Sequence, residues 1–556
     1  MKKIIFFIGI IIIFLLILSI YSYPINKNAQ IIITNDNNEE ICYVINNHLS
    51  NKENISKIKK RHIDFIIGIE DKNFYSHNGF DLKRIISSIF KNIFTGTSLG
   101  ASTITQQYIK NTYLKNEKSI SRKIKEIMLA IKLENSMTKD EILSNYLSSI
   151  YFGNNVYGLT NAAKYYFNKT TDNMNDIEMI SLIALWNSPS VYSQNIDKWE
   201  KKKNSLVDYL YKINLINHTD KLILKNKIPL NINKSYINPN KKYFIDQVIL
   251  EFKEYKIHSS FNENILISTK YNSSLESIQE SCDASYCAII TNKEGYIISI
   301  FGDKSYTDGY NIAINGKRDI GSTIKPILYY EAIKCGLEHY VFDSSPYSYL
   351  YNNNKITVTN SSGFYYGPID MRHALAVSDN IYATKMHLTL GTNTLARHLK
   401  KYGINASPIP SLALGSISLS LKELNDIYTQ FFTDGKYIKT KFISSINYNG
   451  INHKKPILEK RLNDSNICLK IKSLLSAPFD SNIKHSTLSM LNNKLNTKAY
   501  GKTGSTLFDS YVIGFNDDYL ISVWSGYKDG KILEDTQSKH IPKILFTKII
   551  NTLTTN

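Results

Sequence analysis

Hydrophobic positions along this chain follow three rhythms. The first is an unbroken apolar run from Ile4 to about Tyr23. The second, from Ile55 to about Leu210, has helical spacing. Between Ser119 and Glu134, the residues Ile120, Ile124, Ile127, Met128, Ala130, Ile131 and Leu133 recur so that most share one helical face. Asp140–Tyr151 and Asn175–Trp186 repeat that pattern, and strand signals are few. The stretch therefore predicts a mainly-α domain. The third rhythm is mixed. Cys287–Thr291 and Tyr296–Phe301 read as strands joined by a turn at Asn292–Gly295, and Tyr511–Phe515 and Leu520–Gly526 flank a hairpin turn at Asn516-Asp517-Asp518. Between these pairs lie helical segments at Ser322–Lys334, Met371–Val377, Asp379–Gly391 and Ser420–Phe432. A last helix is predicted over about Ile541–Leu553, with Pro542 near its first turn. First and last strands that bracket helices predict an α/β (α+β) domain around one antiparallel sheet.

The punctuation between rhythms sets the boundaries. Residues 26–54 are polar and mixed, and read as a stalk with a short strand at Gln30–Thr34. Residues 216–269 are rich in Asn and Lys and contain Pro229 and Pro239. They read as a linker with a helix near Tyr243–Lys253, before apolar alternation resumes at Ile265–Thr269. The chain is thus multidomain: 1–25, 26–54, 55–215, 216–269 and 270–556.

Composition changes this picture in one respect. A hydrophobic share of 43% and a charged share of 21% are ordinary, but the formal charge is +19. No nucleic-acid motif accompanies that charge, so an anionic membrane surface or a diphosphate substrate is the expected partner. The N-terminal run agrees. About 20 apolar residues span a bilayer core, and Lys2 and Lys3 before them hold that end in the cytoplasm. No Ala-x-Ala-like cleavage site follows, so the run reads as an uncleaved transmembrane helix. A cleaved signal peptide is the alternative, and either way the rest of the chain lies outside the cytoplasm. The five cysteines, Cys42, Cys282, Cys287, Cys335 and Cys468, show no zinc-like spacing. Cys282 and Cys287 are near enough in sequence to pair, but inert thiols are the default.

Candidate chemistry appears twice. In Gly321-Ser322-Thr323-Ile324-Lys325-Pro326 a serine and a lysine are three apart, so on a helix they can touch. A serine hydroxyl needs a base, and a lysine whose pKa is lowered by burial can be one. Ser-x-x-Lys alone is weak evidence. Here it is followed by Ser378-Asp379-Asn380 and Lys502-Thr503-Gly504-Ser505 in the same chain. That trio, in that order, resembles the signature of penicillin-binding proteins and class A β-lactamases. The resemblance implies Ser322 as nucleophile and Lys325 as base. It makes Ser378 a proton relay, Asn380 a holder of lysine and substrate amide, and Lys502 a cation facing a substrate carboxylate. Thr503, Gly504 and Ser505 form the substrate-binding strand, with Gly504 admitting a ligand to its edge. The N–H groups of Ser322 and Ser505 form the oxyanion hole. Phe364, Tyr365 and Tyr366 either line the cleft or simply pack, and packing is the expectation.

The helical domain carries the more specific match. Glu70-Asp71-Lys72-Asn73-Phe74-Tyr75-Ser76-His77-Asn78-Gly79 resembles the Glu-Asp-x-x-Phe-x-x-His-x-Gly opening of peptidoglycan glycosyltransferases. Gly100-Ala101-Ser102-Thr103-Ile104-Thr105-Gln106-Gln107 resembles their second motif and Arg122-Lys123-Ile124-Lys125-Glu126 their third. Glu141-Ile142-Leu143 with Tyr146 resembles the fourth, although Ser148 stands where the family has Asn. Lys202-Lys203-Asn204-Ser205-Leu206-Val207 is a weaker fifth, with lysines in place of arginines. The resemblance makes Glu70 the base on an acceptor 4-hydroxyl and has Glu126 assist at the donor. Arg122 and Lys123 fall on the face of Glu126, where a diphosphate can lie. Ser102, Thr103, Gln106 and Gln107 are expected to bind sugar or phosphate, and His77 is read as a structural hydrogen-bonding residue.

Together the two motif sets resemble the class A, bifunctional penicillin-binding proteins over nearly all of the chain beyond the apolar run. This implies a lysozyme-like glycosyltransferase domain followed by a serine transpeptidase/β-lactamase-like domain. The implied substrates are lipid II and nascent glycan strands, with β-lactams as covalent inhibitors. The implied location is the inner or plasma membrane, crossed once, with the catalytic domains outside the cytoplasm and other cell-wall synthesis proteins as candidate partners. No cofactor is called for, though a divalent cation at the glycosyltransferase site is allowed. A D,D-carboxypeptidase or β-lactamase activity of the second domain, a lytic glycosidase, and a non-catalytic cell-wall scaffold are the alternatives.

Overall fold

A computed structural model describes residues 31–45, 48–84, 87, 102–114, 119–154, 156–233, 238–255, 257, 265–302, 310–448, 450–454 and 456–555. The apolar run 4–23, and Gly100 and Ala101 of the second glycosyltransferase motif, lie outside them. Among the described residues no helix is long and apolar enough to cross a membrane.

The described chain divides into two compact units, and the division is not linear. The first takes the residues through 233 together with 257, 265–268 and 445–453. The second takes 238–255, 269–444 and 454 onward. Residues 216–269, read as a linker, divide between the units: 216–233, 257 and 265–268 fall in the first, and 238–255 and 269 in the second.

In the first unit the helices form where the apolar rhythm predicted. They are α1 Lys60–Glu70, α2 Ile104–Tyr113, α3 Ile120–Glu134, α4 Lys139–Ser149, α5 Leu159–Phe167, α6 Asp176–Trp186 and α7 Ile196–Lys212. Their starts are chemically marked. Thr103, Thr138 and Asn175 each close a capping box with Gln106, Glu141 and Glu178, satisfying N–H groups that a helix end leaves open. Helix α6 is apolar all round, with Met179, Ile180, Leu182, Ile183 and Leu185 buried, as befits a central element. A six-stranded sheet was not anticipated. Strands β1 Ile31–Thr34, β2 Glu40–Ile45, β3 His48–Ser50 and β4 Ile265–Thr269 join Ile443–Tyr448 and Ile451–His453, so the supposed stalk is sheet. Strand β1 pairs antiparallel with β2 and parallel with β4, through Ile31–Ile265 to Thr34–Ser268.

The second unit is built on an antiparallel five-stranded sheet. Its strands are β5 Ser285–Asn292, β6 Ile297–Phe301, β7 Tyr500–Ser505, β8 Asp509–Phe515 and β9 Tyr519–Gly526, in the order β7-β8-β9-β5-β6. Its helices include α8 Pro239–Lys253, α9 Lys325–Lys334, α10 Met371–Val377, α11 Asn380–Leu390, α12 Leu421–Phe432 and α13 Thr536–Thr555. Ile541, Leu545, Phe546, Ile549 and Ile550 of α13 pack with Ala288, Ile290, Val512 and Ile521 in one core. Asn425 of α12 bonds Thr291 (3.0 Å) and Ser522 (2.9 Å) of the sheet. Helix α13 begins earlier than expected and carries Pro542 in its interior. Proline there removes the hydrogen bond to the carbonyl four residues back. That carbonyl, of Ser538, is taken instead by the Ser525 hydroxyl of β9 at 2.7 Å. No disulfide joins Cys282 to Cys287.

Two candidate active sites

Strand β7 is an edge strand, and its free edge positions the serine site. Ser322 lies in a short turn, Gly321–Ile324, and α9 begins only at Lys325. This turn packs on β7 through glycines. A Cβ on Gly504 would stand 2.6 Å from Thr323 Cγ2 and 2.8 Å from the Ile320 carbonyl, and one on Gly321 (φ +54°) would meet the Ser505 carbonyl at 2.7 Å. Gly504 therefore admits the nucleophile's own turn, not a ligand as expected. A third glycine, unnoticed in the sequence, completes the stack: at Gly415 (φ +83°) a Cβ would lie 2.0 Å from the Gly321 carbonyl oxygen. Gly415→Ala combines left-handed strain with a backbone clash. It is expected to cost about 2–4 kcal/mol and to slow acylation of Ser322, read by thermal unfolding and fluorescent-penicillin labelling.

The remaining predicted residues converge here. The fully buried Lys325 Nζ donates to the Ser378 carbonyl (2.7 Å) and to Asn380 Oδ1 (2.9 Å), and lies 3.4 Å from Ser378 Oγ. Lys502 Nζ donates to Ser378 Oγ at 2.8 Å and to the Thr503 carbonyl at 2.9 Å. Burial lowers Lys325 to about 7, with the Asp379 charge resisting. Burial also holds Lys502 well below the usual lysine range, and the Lys325 charge adds to this. A substrate carboxylate would have to supply the partner that charges it. A neutral Lys325 has two N–H donors and one lone pair. Both donors are engaged, so the lone pair is left to take a hydroxyl proton. The half-buried Ser322 hydroxyl has no hydrogen-bond partner among the described residues. Acylation by penicillin should accordingly fall as pH drops through about 7, where Lys325 gains its proton, and level off above it. A pH series of labelling rates reads this directly.

Phe364 and Tyr365 do not simply pack. They are exposed, and the Phe364 ring stacks on His485 at 3.9 Å between centroids.

The first unit holds the carboxylate site. Glu70 ends α1. Its Oε2 accepts from Gln107 Nε2 (2.7 Å) and its Oε1 from Trp186 Nε1 (2.8 Å). The Tyr146 hydroxyl donates to Gln107 Oε1 at 3.1 Å, which turns the amide's nitrogen toward Glu70. Burial, with the charges of Glu70 and Asp71, raises Tyr146 well above the ordinary tyrosine value, so it stays a donor. Trp186 was read only as the end of a helix, and nothing local in the sequence marks it as a partner of Glu70. Trp186→Phe removes one charge-assisted bond and should slow glycan polymerisation about tenfold, with unfolding temperature as the control.

Glu70 shares a cleft of 1120 Å³ with Glu126, Ser102, Gln106, Gln107, Lys110 and Lys202. Glu126 is 2% exposed and paired to Arg122 and, at 2.9 Å, to Lys123. Lys123 also donates to Ser102 Oγ at 2.6 Å. Two donors, Gln106 Nε2 and Arg122 Nε, are buried without partners. Such surroundings fit an anion such as a diphosphate. Among the described residues no three His, Cys, Asp or Glu side chains group around a metal position. Thr103 is corrected: it is fully buried, caps α2 and donates to the Gly79 carbonyl (2.7 Å), so it is not a substrate ligand. His77 is structural, its ring bonding Asp71 Oδ2 at 2.9 Å. Asp71 in turn accepts the Ile104 N–H, tying α1 to the start of α2. Ser148 is also structural, accepting the Glu53 N–H and donating to the Ser144 carbonyl. Lys203 is buried against the Asn226 carbonyl, whereas Lys202, Ser205 and Leu206 of the fifth motif line the cleft.

Residues 38–211 match the family model for transglycosylase, and 286–527 match that for the penicillin-binding protein transpeptidase domain. Penicillin-binding protein 2D of Bacillus subtilis is 32% identical over 513 residues, covering 86% of this chain and 74% of that protein. The chain belongs to the class A penicillin-binding proteins. Penicillin-binding protein 1F of Bacillus subtilis is 29% identical, covering 89% of this chain and 73% of the relative. The crystal structure of penicillin-binding protein 1A from Haemophilus influenzae shares the fold, with a TM-score of 0.58 at 16% identity over 95% of this chain and 92% of that one. As a class A penicillin-binding protein, the chain is a bifunctional enzyme of cell-wall peptidoglycan synthesis, with glycosyltransferase and transpeptidase activities.

Proposed function

We propose that this protein extends glycan strands from lipid II in the first unit and crosslinks their stem peptides in the second. The meeting of Lys325, Ser378, Asn380 and Lys502, with Ser322 in the turn that leads into Lys325, is the observation that carries the reading. Ser322 Oγ attacks the carbonyl of a D-Ala-D-Ala amide while its proton passes to Lys325 Nζ. The Ser322 and Ser505 N–H groups receive the developing oxyanion. The C–N bond breaks, and the proton reaches the leaving D-Ala amine through the Ser378 hydroxyl. An amine from a neighbouring strand then takes the acyl group and the serine regains its proton. A β-lactam stops at the acyl-enzyme. Thr503 and the outer edge of β7 align the substrate backbone as an added strand.

In the first unit Glu70 takes the proton of the acceptor 4-hydroxyl as that oxygen attacks the donor sugar carbon, inverting it. The leaving lipid diphosphate lies against Arg122 and Lys123, with Lys202, Ser102 and Gln106 around it, and Glu126 holds the two cations in place. Residues 4–23 cross the plasma membrane once and keep both units outside the cytoplasm, close to the substrate's lipid tail. Incubation with lipid-linked disaccharide-peptide, with and without penicillin, tests the scheme. Glycan should lengthen in both samples and crosslinks should appear only without penicillin. Shortening chains, or trimmed peptides without crosslinks, would refute it.

A further inference from the structure

Asn360 lies just beyond the hairpin strand Asn354–Val358 and is buried, yet neither signature motif includes it. Its carboxamide is used at both ends. Oδ1 accepts the backbone N–H of Asn380 at 2.8 Å. Nδ2 donates to Asp379 Oδ2 at 2.6 Å and to the Phe364 carbonyl at 3.0 Å, and approaches Ser344 Oγ at 3.3 Å. These partners fix which end of the amide is which. The neighbouring Thr359 carbonyl accepts Asn380 Nδ2 at 3.2 Å. Asn380 is therefore held by backbone and side chain from one loop, and its remaining oxygen receives the Lys325 ammonium or amine.

The held turn is not one the chain adopts freely. Ser378 sits at φ +61°, a left-handed conformation that a serine keeps only when its surroundings impose it. Asp379 caps α11 with Oδ1 on the Tyr382 N–H, while Oδ2 takes Asn360 and Ser344. On the opposite side the Thr487 N–H donates to the Ala376 carbonyl at 3.0 Å, just before the turn.

We propose that Asn360 is a positioning residue of the transpeptidase reaction. It sets the Ser378–Asn380 turn, and through Asn380 it sets where the Lys325 amine stands relative to Ser322. The inference rests on the reading of Ser322 as nucleophile and Lys325 as base. The charged groups facing Lys325 are Asp379 from α11 and Lys502 from β7, with Lys543 of α13 acting on Lys502. Asn360 touches the first of these, and through it the one negative charge that favours protonated Lys325.

The test uses the full chain and fluorescent penicillin, separating the binding constant from the acylation rate constant. Asn360→Ala should slow acylation about 30- to 100-fold, the scale of a small misplacement of a reacting group. Penicillin binding should shift less than about threefold. Labelling should still reach the wild-type stoichiometry, and glycan polymerisation by the same molecules should be unchanged. A wild-type acylation rate overturns the proposal. So does a loss that follows the labelled fraction, which marks a merely structural role. Should the alanine variant fail to fold, Asn360→Asp keeps the shape and the acceptor for the Asn380 N–H but sets a carboxylate against Asp379. It should be comparably slow at pH 8, and a wild-type rate there also overturns the proposal. Labelling that persists in Ser322→Ala would instead sink the underlying nucleophile reading, so the two failures are distinguishable.

Discussion

Ser322→Ala is expected to abolish covalent labelling by a fluorescent penicillin, at any pH and incubation time, while lipid-linked precursor is still polymerised at the wild-type rate. The expectation is absolute because, in the proposed mechanism, the acyl-enzyme is a bond to Ser322 Oγ. Ser378, the other hydroxyl beside Lys325, cannot substitute. It is bound to Lys502 at 2.8 Å and sits in a different turn from Gly321–Ile324, which packs on Ser505. Alanine at 322 leaves the glycine stack of 321, 415 and 504 untouched, so the fold should hold. Persistent labelling would show that another residue is acylated.

Glu70→Gln is expected to do the reverse. Loss of the general base should slow polymerisation about 1,000-fold, within the span usual for removing such a group. Penicillin labelling should be unchanged. Glutamine has nearly the same shape. It keeps one oxygen for either Trp186 or Gln107, although its own NH₂ then faces the other donor. Gel analysis of glycan products checks the rate, and unfolding temperature checks that the misplaced donor has not loosened the cleft. Normal polymerisation would remove Glu70 from its assigned role. Each substitution disables one unit of a single polypeptide, so each serves as the other's control for folding.

Several parts of this architecture were legible from local pattern alone. Helices α3, α4 and α6 follow the apolar spacing and start at Ser, Thr or Asn caps, because a helix is closed by contacts within a few residues. The hairpin of β8 and β9 likewise announces itself through Asn516-Asp517-Asp518. Where local and distant partners compete, reading by pattern failed. Thr103 looks like a substrate ligand in a motif, yet a cap consumes its hydroxyl. Pro542 looks like a helix start, yet Ser525 from another element bonds the carbonyl that proline leaves open.

What the sequence determined by itself was the chemistry: the hydroxyl, amine and carboxylate types, and the Arg122–Glu126 spacing that one helical turn converts into an ion pair. Tertiary structure alone decided the rest. It paired strands 31–34 and 265–269, set Trp186 on Glu70, and brought Asn360 onto the Ser378 turn and Gly415 onto Gly321. The reason is physical. A hydrogen bond or close approach between residues far apart in sequence leaves no periodic trace in either segment, since the chain topology, not the local propensity, selects the partner. Burial acts in the same way. Nothing in Lys-Pro-Ile-Leu states that Lys325 will be wholly enclosed, yet that enclosure is what makes an ordinary lysine a base near neutral pH.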